Sequence, residues 1–140
     1  MSEEFATPEL VERVRQAFEA GNSGDLDSAL RFYDPDAVWD MSRFGMGTFE
    51  GRVAIRQFFE DWTGAYDEWT IVAAEIQDLG HGVSFATVEQ RGRLLGSDAV
   101  VELRYAAVTT WAGGMMARVT NYSDTDEGRA AAEALAKSRE

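Results

Sequence analysis

The spacing of apolar residues changes period part-way along this 140-residue chain, and that switch restricts the possible architectures more than any single motif does. Ile55, Phe58, Phe59, Trp62 and Tyr66 recur at the three-and-four spacing of one helix face, which predicts a helix beginning just beyond Gly51. From about Trp69 onward the spacing becomes two, as expected of strands whose successive side chains point to opposite sides. Val72, Ala74 and Ile76 then share one face of a strand from about Trp69 to Leu79. Gly80-His81-Gly82 turns the chain into a second strand running to about Leu95, and Gly96-Ser97 reads as the next turn. A third strand follows from about Ala99 to Trp111, and Ala112-Gly113-Gly114 leads into a fourth that ends near Tyr122. Consecutive hairpins of this kind make an antiparallel meander.

Ahead of the long helix, Thr7-Pro8 is a helix start, since proline fixes the first turn and the threonine oxygen can accept an orphan backbone N–H. Leu10, Val14 and Phe18 continue at helical spacing, Gly21-Asn22 ends the segment, and Ser23 or Asp25 can cap a second short helix carrying Leu26, Ala29, Leu30 and Tyr33. Pro35 in Asp34-Pro35-Asp36 breaks that helix, and a strand starts at about Ala37. Met41 to Phe49 shows neither period and is expected as a loop over a pocket mouth, while Glu127 to Lys137 is an alanine-rich terminal helix of weak amphipathicity. The fold class that follows is α+β: a curved antiparallel sheet wrapped around N-terminal helices, cone-shaped, with an internal pocket. The length suits one domain spanning 1–140.

Composition removes several functional classes. A net charge of −12 repels phosphate backbones and anionic headgroups, so neither nucleic acid nor a membrane surface is expected as a partner. With no cysteine there is no thiolate nucleophile or thiolate metal site, and together with the acidic Met1 to Phe5 segment this reads as cytoplasmic. His81, the only histidine, sits between glycines in a predicted turn, away from the company that catalysis or metal binding requires. No metal and no cofactor are expected.

The phrases Asn22-Ser23-Gly24-Asp25-Leu26-Asp27, Tyr33-Asp34-Pro35-Asp36-Ala37-Val38-Trp39-Asp40, Gly51 into Ile55-Arg56-Gln57-Phe58-Phe59, and Asn121-Tyr122 resemble the nuclear transport factor 2-like superfamily, and within it the SnoaL-like branch. That resemblance runs roughly from Leu10 to Leu135. It implies a cystatin-like roll, often dimeric through the outer sheet face, with a pocket used for ketosteroid isomerisation, polyketide cyclisation, epoxide hydrolysis, dehydration or simple binding. Ketosteroid isomerases set an aspartate base against a tyrosine and a protonated aspartic acid. Here the base position falls on Met41 by ungapped matching or on Asp40 after a one-residue shift, which reverses the face on which it lies. The matching oxyanion-hole positions hold Ala17 and Ala107, so both donors are missing, and one such donor supplies roughly 3 kcal/mol of transition-state stabilisation. The pocket tyrosine of the second helix matches Tyr33. The Arg-x-Asp pair of related epoxide hydrolases has only Glu89-Gln90-Arg91 and Glu102-Leu103-Arg104 as counterparts, with the charges in reverse order.

The expected site therefore has Asp40 and Tyr33 as catalytic candidates. Trp39, Phe59, Trp62, Gln90, Tyr105, Trp111 and Asn121 are ligand-binding candidates around a small, mostly apolar metabolite. Asp40 would need a desolvated setting to act as a base, and as an alternative it is an exposed or capping aspartate. Gln90 and Asn121 have an equally plain alternative as buried amides satisfied by their neighbours. Two functions stay open at this point, acid/base catalysis of the isomerase, cyclase, dehydratase or hydrolase type and non-catalytic binding. The alternation also places Phe85, Thr87, Glu89, Arg91, Val100, Glu102, Arg104, Ala106, Val108 and Thr110 on the outer face, where an isologous homodimer is expected.

Overall fold

The structure, a computed structural model, describes residues 8–140. Thr7, the expected cap of the first helix, lies outside the described residues. Helix α1 (Pro8–Asn22) buries Leu10 and Val14, and α2 (Leu26–Leu30) is capped by Asp25, whose carboxylate accepts from the backbone N–H and the hydroxyl of Ser28. Asn22 does more than end α1. Its side-chain oxygen accepts from the backbone N–H of Ile71 at 2.7 Å while its amide donates to the Ile71 carbonyl, which clips the helix end to the sheet.

Strand β1 (Tyr33–Asp40) begins four residues before Ala37, with a register slip between Tyr33 and Val38 that accommodates Pro35. The segment expected as a loop instead holds a 3₁₀ turn (Ser42–Phe44) and a short edge strand β2 (Thr48–Glu50) paired with β1. A strand of that length is too short to reveal a period of two. Helix α3 (Gly51–Thr63) stops before Tyr66, which opens β3 (Tyr66–Gly80). The Tyr66 ring lies flat against Gly92, where an added Cβ would come within 2.5 Å of it, so glycine at that strand position makes room for the ring.

Strands β3, β4 (Val83–Leu94), β5 (Val100–Ala112) and β6 (Met115–Tyr122) form the expected antiparallel meander. The sheet order is β2-β1-β6-β5-β4-β3, and the β1–β6 pairing is parallel. One expectation is corrected in β3. A bulge between Ala73 and Glu75 breaks the alternation, so that Val72 is exposed, Ile71 is buried, and Ile76 joins the inner core beyond the bulge.

Two apolar clusters hold the molecule together. The inner cluster joins α1, α2, α3 and the sheet through Leu10, Val14, Leu30, Ile55, Ile71, Val88 and Val119. The outer one joins the opposite sheet face, at Phe85, Ala106, Val108 and Tyr122, to helix α4 (Thr125–Ser138) at Ala132 and Ala136. Close approach explains why α4 uses small residues: a Cβ on Gly128 would sit 2.7 Å from that of Ala106. The face expected to meet a second copy is therefore partly occupied by the chain's own last helix, which buries Phe85, Thr87, Ala106 and Val108.

Candidate functional site

Between the helices and the inner sheet face lies a cavity of about 110 Å³. The side chains that wall it come from α1 (Val14, Ala17, Phe18), α3 (Phe58, Phe59, Trp62), β1 (Tyr33, Trp39) and the inner positions of β3 to β6. No Asp, Glu, His, Lys or Arg is among the lining residues. A cavity so walled is apolar, and its chemistry rests on a small number of hydrogen-bonding atoms.

Tyr33, Trp39, Phe59, Trp62, Tyr105, Trp111 and Asn121, all singled out from sequence, do line this space together. Trp39 packs edge-on against Phe59 with ring centres 5.0 Å apart, and Tyr33 stands 5.9 Å from Trp39 and 6.1 Å from Phe59. Arg52 anchors this corner by donating through Nε to the Tyr33 carbonyl at 2.9 Å. Among the described residues the hydroxyls of Tyr33 and Tyr105 have no hydrogen-bond partner. Burial pushes the pKa of each phenol well above its ordinary value, and for Tyr33 the proximity of Tyr105 adds to the effect. Both stay neutral and available as donors.

Some polar groups of the lining are already engaged. The Trp111 indole N–H donates to Ser84 Oγ at 2.9 Å, and the Trp62 indole N–H donates to Gln90 Oε1 at 3.0 Å. Others are not: the indole nitrogens of Trp39 and Trp69 and the side-chain oxygen of Asn121 are buried with no hydrogen-bond partner among the described residues. The Asn121 amide nitrogen has only the sulfur of Met41, at 3.3 Å. A buried polar atom left unpaired costs about 1–3 kcal/mol, so a partner for any of these atoms would be stabilising.

Two candidates lie elsewhere. Asp40 does not line the cavity, whereas Met41 does, so the alternation along β1 points Trp39 and Met41 inward and Asp40 outward. Its carboxylate accepts from the Ser42 N–H at 2.9 Å and hydroxyl at 2.6 Å and pairs with Arg118 Nη2 at 2.7 Å. Partial burial alone would raise its pKa, but the Ser42 hydrogen bonds and the Arg118 guanidinium outweigh that and hold it below the usual carboxylate value. Those contacts oppose what a general base near neutral pH requires. Gln90, expected to touch ligand, is buried behind the wall, taken up by Trp62 and by Tyr66, whose hydroxyl receives its amide at 3.5 Å.

Sequence reasoning missed Trp69 as a wall residue. The apolar residues of β3 fall on both its faces before the bulge, so Trp69 and Ile71 carry no stronger signal than Val72 and Ala74. His81 sits exposed at φ 58° in the turn between β3 and β4 and does not line the cavity. Among the described residues no group of three or more His, Cys, Asp or Glu side chains could hold a metal ion, and no helix is long and apolar enough to cross a membrane.

Residues 14–119 match the family of the SnoaL-like domain. No curated protein matches the sequence significantly. Among solved structures, the chain is similar to TerC co-crystallised with polyporic acid, with a TM-score of 0.69, 17% identity and coverage of 86% of this chain and 95% of that one. An NTF2-like protein of unknown function from Burkholderia pseudomallei gives a TM-score of 0.72 at 21% identity over 86% of this chain and 95% of its own. SalBIII, an epoxide hydrolase/cyclase-like enzyme of pyran ring formation in salinomycin, gives 0.71 at 20% identity over 81% and 89%. At these identities the likeness concerns the fold.

Proposed function

We propose, from the premise that this chain belongs to the SnoaL-like domain family, that its cone encloses a small, neutral, mostly apolar metabolite. One observation carries the reading: a cavity walled by rings and aliphatic groups, without a carboxylate, histidine, lysine or arginine, that still contains unpartnered hydrogen-bonding atoms. A charged ligand would lose its hydration with no counter-charge to replace it. A pure hydrocarbon would leave the Trp39 and Trp69 N–H groups and the Asn121 oxygen as they are. A neutral molecule with one or two oxygen functions improves on both, because indole N–H and phenol O–H donate while the Asn121 oxygen accepts.

Binding is favoured over acid/base catalysis because Asp40, the carboxylate candidate, is committed to Ser42 and Arg118. A second reading has one observation behind it, the pair of neutral, unbonded phenols. If chemistry occurs, Tyr33 and Tyr105 would polarise a ligand oxygen, and a proton acceptor would have to come from the ligand itself or from water. SalBIII, an epoxide hydrolase/cyclase-like enzyme, and a putative polyketide cyclase from Sinorhizobium meliloti share this fold.

The experiment is native mass spectrometry of the purified protein together with titration by p-cresol, read by tryptophan fluorescence, in the wild type and in Ala17→Leu, which adds bulk to the cavity wall. Saturable p-cresol binding that Ala17→Leu abolishes, with circular dichroism unchanged, supports the reading. No co-purifying mass and no saturable fluorescence change would overturn it.

A homodimer belongs to the same proposal. The outer face not covered by α4 presents Glu89 opposite Arg104 and Arg91 opposite Glu102, charges that a two-fold axis can pair across an interface. A light-scattering mass of one protomer at micromolar concentration would remove it.

A further inference from the structure

On the outer side of α3, beyond the cavity wall, lies a second, open depression of about 450 Å³ lined by Met46, Phe49, Ala54, Gln57, Asp61, Ala65 and Tyr66. It shares two residues with the inner cavity, Phe58 and Trp62, so these rings form the partition between the two spaces. The two are unequal as movable parts. Phe58 is buried and has ring neighbours on every side: Phe49 at 4.7 Å, Trp62 at 5.7 Å, Phe59 at 6.2 Å and Trp39 at 6.5 Å. Trp62 is only partly buried, stacks on Phe58 alone, and stands next to the end of α3 at Thr63. Besides that stack, its indole N–H makes one hydrogen bond, to Gln90, itself supported by the Tyr66 hydroxyl.

The inner cavity alone is small for a metabolite. At about 110 Å³ it holds at most a single small ring, whereas ligand pockets commonly run from about 300 to 1,000 Å³. Joined to the outer depression, it reaches that range. We propose that Trp62 is the specificity-determining partition of this site, latched by Gln90, and that the ligand is an elongated molecule. Its oxygen-bearing ring end occupies the inner cavity and its apolar remainder lies in the outer depression once the Trp62 indole swings aside. The proposal rests on the reading of the cavity as a binding site and adds the size class of the ligand and the residue that selects it.

Opening breaks one hydrogen bond and one ring stack, so the open form is a minor population and lowers the apparent affinity for long ligands by its fraction. The test uses two probes, p-cresol for the inner cavity alone and the neutral dye N-phenyl-1-naphthylamine for an occupant of both spaces. In the wild type, the dye competes with p-cresol, and its association rate levels off with concentration as opening becomes limiting. Trp62→Ala, which also removes part of the wall that p-cresol touches, raises the affinity for the dye by about tenfold or more relative to that for p-cresol, as removal of a closed-state penalty requires. Gln90→Met, which releases the latch and leaves the partition in place, speeds dye association by a similar factor. Its melting temperature is measured in parallel, so that loss of fold is told apart from loss of the latch. Wild-type protein binding dye and p-cresol at once, without competition, would show two independent spaces and overturn the proposal even if a variant did not fold. A failure of p-cresol to bind at all would overturn the cavity reading and this inference with it.

Discussion

Arg118 Nη2 stands 2.7 Å from the carboxylate of Asp40, and this pair makes the carboxylate beside the cavity-lining Met41 part of the outer sheet surface. Asp40 and Arg118 come from adjacent strands, β1 and β6, at positions two apart in a parallel register that pairs Asp40 with Thr120. Three donors converge on the carboxylate from Ser42 and Arg118, so its ionised form is stabilised and the group is structural.

Asp40→Asn is expected to cost about 1 kcal/mol of stability at neutral pH, since it removes a half-exposed ion pair and weakens charge-assisted hydrogen bonds. The folded-state pKa of Asp40 is lowered, so its contribution is complete above the unfolded carboxylate value of about 3.9 and is lost as pH falls through the lower folded value. Urea denaturation of wild type and variant should therefore differ at pH 7 and converge in strong acid. Binding of p-cresol should be the same in both, and a loss of binding would return Asp40 to the site.

Asn121→Leu replaces a buried amide whose oxygen has no partner with an apolar group of similar volume. Thermal unfolding should show stability unchanged or raised. Affinity for p-cresol, whose hydroxyl can donate to that oxygen, should fall by the worth of one hydrogen bond, about 1 kcal/mol or some fivefold in Kd. Toluene, which has no hydroxyl, should bind both proteins alike.

Alkaline titration isolates the cavity phenols. Burial raises the folded-state pKa of Tyr33 and Tyr105, so the advantage of keeping them neutral is intact below the unfolded phenol value of about 10 and drains away as pH rises above it. Absorbance near 295 nm should show these two remaining un-ionised past pH 10, released only with unfolding. In Tyr33→Phe/Tyr105→Phe the late, unfolding-coupled portion of the signal should be absent.

Gly128→Val places a branched side chain where even a Cβ would lie 2.7 Å from Ala106 and 3.2 Å from the Tyr122 Cβ. Overpacking between α4 and the sheet should cost about 1–3 kcal/mol in urea denaturation, although valine is the better helix former. An unchanged midpoint would mean that α4 can lift from the sheet at little cost.

Much of this architecture is visible in local spacing. The stripe from Ile55 to Trp62, the hairpin turns and the alternation of Leu103, Tyr105, Ala107, Thr109 and Trp111 each reflect a period that a few neighbouring residues define, and the lining of β5 follows from it directly. Where apolar residues lay on both faces, as in β3, the spacing could not choose between Trp69 and Val72, and a bulge decided it.

By itself, then, the amino-acid order determined the succession of helices and strands, the aromatic character of the cavity and most of the side chains that wall it. Tertiary structure alone decided the rest. The slip in β1 around Pro35 sets which of Asp40 and Met41 faces inward, α4 takes part of the sheet face that seemed free for a second copy, and Gln90 is committed to Trp62. The physical reason is one of range: periodicity is written in residues three or four apart, whereas the side of a strand and the partner of a buried amide depend on groups brought together from distant parts of the chain.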